Sequence, residues 1–209
     1  MSINFNERTI DKFKSQMRGG GARSNLFEVS FGSELGGNFS FPWGDSVQTD
    51  DNMMIKAAGL PASTITEVPV PFRGRTLKVA GERTFDVWTI TVINDTDFKW
   101  RNIFERWMNY IVKVSDGSGT IDPSEYQTDV IVSQLSRGQF TGLATKGNAA
   151  SNQIDVLRTY KIHGCFPTSV SQIDLSYNNE NEIEEFTVDL QVQWWEAADD
   201  SNSPSSQVI

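Results

Sequence analysis

The chain has 209 residues, 38% of them hydrophobic and 22% charged, with thirteen Phe and six Trp, so it can bury a core without disulfide or metal staples. One cysteine, Cys165, and one histidine, His163, exclude an internal disulfide and a multi-histidine metal centre. Eighteen Lys and Arg against 27 Asp and Glu leave a net charge of −9, which repels nucleic-acid phosphate and argues against a general DNA-binding module.

Taken in chain order, Ile10, Phe13 and Met17 recur at i, i+3 and i+7, which predicts a short amphipathic helix in an N-terminal arm, broken by Gly19-Gly20-Gly21. That glycine run is a hinge and not a phosphate cradle, because no strand precedes it and no Gly-Lys-Ser or Gly-Lys-Thr follows. From Leu26 to Phe31 the pattern alternates as a strand, with Asn38 to Phe41 as its hairpin partner or an extended loop, and residues 42–52 read as a polar insertion. Met53 to Ala58 is strand-like and stops at Gly59-Leu60-Pro61. Thr64 to Val70 and Thr76 to Val79 then flank Pro71-Phe72-Arg73-Gly74-Arg75 as the arms of a long hairpin. Pro69 and Pro71 confine it to an edge, since proline donates nothing to a ladder, and an edge of this kind calls for something outside the domain to meet it.

Phe85 to Ile93 alternates with period two and is rich in β-branched residues, the clearest strand signal in the chain. Asn94-Asp95-Thr96-Asp97 offers capping oxygens to an amphipathic helix carrying Trp100, Ile103, Phe104, Trp107, Met108 and Ile111 on one face, which Asp116-Gly117-Ser118-Gly119 ends. Tyr126 to Leu135 and Leu157 to His163 are expected strands around a Gly-, Thr- and Asn-rich linker at 137–153. Pro167 follows a turn, Ser171 to Tyr177 is an expected strand, and Ile183 to Trp195 is the last one. The tally is about eight strands and one substantial helix, joined mostly by short connections, which predicts a mainly β, α+β fold: an antiparallel β-sandwich or barrel-forming subunit with one packed α-helix. The expected organisation is an arm over 1–22, a β-sandwich domain over 23–196 and a flexible acidic tail over 197–209.

Charge is unevenly spread: residues 1–25 carry Arg8, Lys12, Lys14, Arg18 and Arg23 against Glu7 and Asp11, whereas from Ile162 onward there are nine acids and no Lys or Arg. Such asymmetry suits contact between copies, and a solvated acidic face is the plainer alternative. The search for chemistry finds little. His163 and Cys165 lie two apart and on one regular strand would share a face, so a Cys/His pair is geometrically conceivable; a buried structural cysteine is the better reading. Glu180, Glu182, Glu184 and Glu185 lack the spacing and mid-loop glycine of a calcium loop. Trp88, Trp100, Trp107 and Trp194 fall on expected core faces and not on a carbohydrate-stacking surface. No catalytic site, metal or cofactor is expected. No continuous apolar stretch follows the first charges, and no eighteen-residue apolar run occurs, so neither a leader nor a membrane span is expected.

The segments Asn25-Leu26-Phe27, Ala58-Gly59-Leu60-Pro61-Ala62, Glu67-Val68-Pro69-Val70, 78–95 (KVAGERTFDVWTITVIND), Gly164-Cys165-Phe166-Pro167-Thr168 and Asn181 to Val188, through Trp195-Glu196, follow one another in the order of a known family. In them the chain resembles the tail tube proteins of contractile-tailed bacteriophages of the T-even type. The resemblance leaves out the N-terminal arm, the insertion near 42–52 and the loop near 137–153.

The resemblance implies a structural subunit and no enzyme, six copies forming a ring whose inner sheets join into a barrel, and rings stacking into a hollow tube that delivers the genome. It implies a tail sheath protein outside, a baseplate tube initiator and a tail terminator at the ends, and tape measure protein and double-stranded DNA inside without specific binding. The protein would be made in the host cytoplasm and reside in the virion tail, with no membrane partner. Part of the acidic surplus would line the channel, where retained cations would add adhesion to a sliding polyanion. By the same analogy the hairpin 57–86, with Arg73, Arg75, Lys78, Glu82, Arg83 and Asp86, is the expected contact between rings. A baseplate tube initiator or the inner-tube protein of an injection system is the alternative role, and a glycan-binding or hydrolytic sandwich the alternative class.

Overall fold

A computed structural model describes residues 9–17, 21–32, 38–137, 156–178 and 182–198. The Gly19–Gly20 step, most of the linker from 138 and the tail beyond 198 lie outside the described residues. Among the described residues, eleven strands and three α-helices follow in chain order: α1 (Ile10–Gln16), β1 (Phe27–Phe31), β2 (Phe39–Ser40), β3 (Ser46–Val47), a 3-10 helix (Thr49–Met54), β4 (Ile55–Ala58), β5 (Ser63–Phe72), β6 (Arg75–Phe85), β7 (Trp88–Ile93), α2 (Lys99–Ile111), α3 (Pro123–Tyr126), β8 (Thr128–Leu135), β9 (Val156–Val170), β10 (Glu185–Gln191) and β11 (Trp194–Ala198).

Seven strands form one sheet in the order β1-β8-β9-β10-β7-β4, with β11 added on β9. β10 runs antiparallel to both β7 and β9, and β4 antiparallel to β7. β2 and β3 form a separate two-stranded sheet, as do β5 and β6. The fold is thus mainly β and antiparallel with few helices, as the alternation indicated.

The chain divides into two compact units. In the larger, Val29–Val132 with Tyr160–Ala198, strict alternation buries Trp88, Ile90 and Val92 of β7 and Phe186, Val188 and Leu190 of β10 on one face. Helix α2 covers that face with Trp100, Ile103, Phe104 and Trp107, all buried. Phe31 lies 5.2 Å from Trp100 and Phe104 lies 6.4 Å edge-on from Phe186, centroid to centroid. Three of the tryptophan N–H groups find carbonyl partners in this apolar layer: Trp100 donates to the Asp51 carbonyl at 2.8 Å, Trp107 to that of Tyr126 at 2.7 Å and Trp88 to that of Gly59 at 2.7 Å.

In the smaller unit, Thr9 caps α1 by accepting from the Lys12 N–H at 3.4 Å, and Gln134 Nε2 donates at 2.6 Å to the carbonyls of both Arg23 and Leu26. Ile10, Phe13 and Met17 do form the apolar stripe of α1, and all three are exposed.

Several elements differ from the sequence reading. Residues 42–52 are not a polar insertion: Trp43 stacks on Phe41 at 4.5 Å and on Trp107 at 5.1 Å, joining β2, β3 and α2 in one aromatic layer, and the 3-10 helix follows. Residues 171–176 form no strand, and β10 ends at Gln191 before β11 begins at Trp194. Helix α2 starts at Lys99 behind a left-handed Phe98 (φ +53°), and of the expected capping oxygens it is Asp95 Oδ1 that accepts, from the Lys99 N–H at 2.9 Å.

The longest correction is β9, which runs unbroken from Val156 to Val170 through Gly164 and Pro167. Gly164 has φ +63°, and a β-carbon there would lie 2.6 Å from Gln193 Cγ, so only glycine fits. This kink advances the face by one residue: Ile162 and Cys165, three apart, are both fully buried.

Candidate assembly interface

The feature that stands apart is the hairpin β5–β6. Its register runs from Ser63 opposite Phe85 to Phe72 opposite Arg75, closed by the two-residue turn Arg73-Gly74. Both turn residues have positive φ, +45° and +79°, the backbone twist that tight hairpins favour. Every residue from 64 to 80 is exposed, so the hairpin packs against no core among the described residues.

Cross-strand register assigns its two faces. Val68 faces Val79, Val70 faces Leu77 and Phe72 faces Arg75, so Val68, Val70, Phe72, Leu77 and Val79 form one continuous apolar face, each residue 43 to 68% exposed. The opposite face carries Glu67, Pro69 and Pro71 against Ala80, Lys78 and Thr76. There Lys78 Nζ pairs with Glu67 at 2.7 Å. Both strands of a two-stranded sheet are edges, which is where Pro69 and Pro71 are tolerated.

At the root, Gly81 and Glu82 of β6 oppose the single residue Thr66 of β5, a bulge seen in the register shift between Ile65 and Glu67. The Thr66 hydroxyl donates to the Glu82 carbonyl at 3.2 Å. The root is tied to the body of the larger unit. Trp195 Nε1 donates to the Ala62 carbonyl at 3.1 Å and its ring meets Phe85 edge-on at 6.4 Å.

The six charged residues expected at a contact are spread along this hairpin. Arg73 sits in the turn, its guanidinium 5.4 Å from the Phe72 ring centre, and Arg75 borders the apolar face. Lys78 is on the opposite face; Glu82 is in the bulge, Arg83 lies opposite Ile65, and the Asp86 N–H donates to the Ala62 carbonyl at 3.5 Å. At about 3.3 Å per residue, Arg75 and Arg83 are roughly 26 Å apart along β6. They are therefore stations along a ribbon and not one cluster. The apolar face has a signal in the sequence, since Val68, Val70, Phe72 and Leu77, Val79 alternate, but Pro69 and Pro71 between them mask it as edge geometry alone.

The other sites considered in the sequence resolve into structural roles. Burial pushes the Cys165 thiol far up, with the Asp129 charge adding to it, and the thiol donates to the Ile162 carbonyl at 3.7 Å. His163 instead lies 3.2 Å from Asp129 through Nδ1 and 3.2 Å from Glu196 through Nε2, so the kink at Gly164 gives the two side chains different surroundings and no Cys/His pair forms. Trp194 is not core: it is 39% exposed and stacks on the His163 ring at 3.9 Å. Glu184 accepts from Asn94 Nδ2 at 2.8 Å and Glu185 pairs with Lys56, which occupies those carboxylates in strand-to-strand bonds. Among the described residues no group of three or more His, Cys, Asp or Glu is arranged to hold a metal ion.

The sequence pattern of the phage tail tube protein family matches residues 22–198. The chain belongs to that family. It is 34% identical over 175 residues to tail tube protein gp19 of Enterobacteria phage T4, covering 84% of this chain and 91% of the relative. It is 27% identical over 187 residues to the tail tube protein of Serratia phage KSP90, covering 87% and 93%. In fold it is similar to a chain in the sixfold-symmetrised cryo-EM structure of the anti-feeding prophage baseplate, with a TM-score of 0.52 and 12% identity over 85% of this chain and 95% of the other. The tail tube family membership makes the chain a structural subunit of a contractile tail tube. The exposed hairpin lies within the matched residues, whereas α1 precedes them.

Proposed function

We propose that six copies of this chain close into a ring, that rings stack into a hollow tube, and that the β5–β6 hairpin makes the contact between successive rings. The observation that carries this reading is the apolar face Val68, Val70, Phe72, Leu77 and Val79, left open to solvent on a ribbon with no core of its own. An isolated two-stranded hairpin is marginal in water, and an exposed apolar strip of this size is a site of association. Burying it against the next ring supplies the hairpin's missing packing, with Arg73 and Arg75 at its tip and Lys78, Glu82, Arg83 and Asp86 spaced along the ribbon to set register by charge.

In this account the chain catalyses nothing and resides in the virion. A sheath protein surrounds the tube, an initiator and a terminator bound its ends, and tape measure protein and double-stranded DNA occupy its lumen. The net charge of −9 suits a conduit that a polyanion traverses without adhering. The body that builds the tube is the 23–196 segment. The test is a pair of variants, Val70→Asp with Leu77→Asp, and Arg73→Glu with Arg75→Glu. Each is expected to leave the monomer folded by circular dichroism and to abolish or sharply reduce tube yield in the electron microscope. Undiminished tube yield from both would remove the hairpin from the ring contact.

A further inference from the structure

Two further surfaces are exposed among the described residues, and they are complementary. The first is helix α1, whose apolar stripe Ile10, Phe13 and Met17 is exposed and is accompanied by Lys12 and Lys14. The second is the connection from β9 to β10. Ser171 and Thr187 are joined at its base by a backbone bond of 2.9 Å and by the Thr187 N–H donating to Ser171 Oγ at 2.9 Å, and the Asn94 N–H donates to the Glu184 carbonyl at 2.9 Å, so residues 172–178 and 182–183 lie outside these ties and in no strand. There Leu175, Tyr177 and Ile183 are among the most exposed large side chains of the chain, at 79, 104 and 72%. They are accompanied by Asp174 and Glu182, and no Lys or Arg occurs anywhere from residue 162 to 209. In the first, Lys14 flanks the apolar stripe while Asp11 and Lys12 fall on the helix's other side; the second is apolar with an acidic border.

We propose that α1 docks in trans on the 172–178 and 182–183 segments of a neighbouring copy, Ile10, Phe13 and Met17 covering Leu175, Tyr177 and Ile183 while Lys14 approaches Asp174 and Glu182. This rests on the tube-subunit reading, because it needs copies held side by side or end to end. A second copy is the occupant that the charges select: the arm segment 1–25 has five basic groups against two acids, and the acidic half of the same sequence supplies the matching surface at equal number. A patch that fits a different patch of an identical chain makes a head-to-tail contact that repeats around a ring or along a filament. Because α1 precedes the residues matched by the family, this contact is an addition to the common tube body, a strap across subunits.

The test uses the full chain in two single-cysteine variants, Phe13→Cys and Ile183→Cys, mixed in equal amounts, assembled, and oxidised. Cys165 is fully buried and does not compete. Expected is a disulfide-linked heterodimer at least ten times more abundant than when Phe13→Cys is mixed with a Val114→Cys control, Val114 being exposed elsewhere. The yield should fall severalfold in 1 M salt, where the screening length shrinks to about 3 Å. Tubes in the microscope with no excess heterodimer would overturn the docking while leaving the tube-subunit reading intact. A cross-link confined to the double variant Phe13→Cys/Ile183→Cys within one chain would also overturn it, since the arm would then fold back in cis. No tubes under any condition, with a folded protein, would overturn the tube-subunit reading and this inference with it.

Discussion

Gly81 and Thr66 approach so closely across the hairpin root that a β-carbon on Gly81 would lie 2.7 Å from the Thr66 hydroxyl oxygen and 2.9 Å from its carbonyl oxygen. The hydroxyl is a side-chain atom, but the carbonyl is backbone and cannot move aside cheaply. The bulge that aims β5 and β6 away from the main sheet therefore depends on a missing side chain.

Gly81→Val is expected to redirect or loosen the hairpin without touching the α2 layer. Urea unfolding of the monomer should shift little, since residues 64–80 contribute no buried core, while tube yield falls severalfold. A large loss of monomer stability with assembly retained would mean that the root, and not the ribbon, is what Gly81 serves.

The opposite separation is expected at Trp107. It is fully buried, stacks on Phe104 and Trp43 at 6.3 and 5.1 Å, and donates to the Tyr126 carbonyl. Trp107→Ala removes ring packing and leaves that carbonyl without its donor, which should cost about 3–5 kcal/mol. The measurement is the urea midpoint of the monomer; a change well below 1 kcal/mol would show that α2 is not packed as described.

A pH effect is expected at the junction of the 3-10 helix and α2. Partial desolvation pushes Asp51 up, but hydrogen bonds from Lys99 Nζ and the Gln48 N–H, with the Lys99 charge, outweigh it and hold the carboxyl below its ordinary value. A depressed folded-state value means that the stabilisation is present above the unfolded carboxylate value, about 3.9, and is lost as pH falls through and below it. Asp51→Asn should therefore flatten the decline of the urea midpoint between about pH 5 and pH 3. Curves for the two proteins that stay parallel throughout would contradict the role of this pair.

These relationships were unequally legible in the sequence. β7 and α2 were plain, because each buries one face along its whole length and its apolar residues keep the period of its backbone. β9 was not, because Gly164 shifts the phase midway and Pro167, opposite Leu190, looks like a turn residue although it is buried in the sheet. Trp43 was read as part of a polar loop because Pro42, Gly44 and Asp45 surround it, whereas it is stacked into the aromatic layer. Trp194 keeps the phase of β10 in the sequence but not its face, because the strand ends at Gln191 and β11 starts afresh at Trp194. The charged residues of the hairpin were legible as positions, but their separation along the ribbon follows from register that only the fold provides.

The measurement that bears most directly on the central claim is negative-stain electron microscopy of the concentrated full-length protein, unseeded and seeded with tube fragments. The account predicts hollow tubes of constant diameter built of stacked rings, with sixfold end views. A folded protein that stays monomeric at every concentration and adds nothing to seeded ends would contradict it.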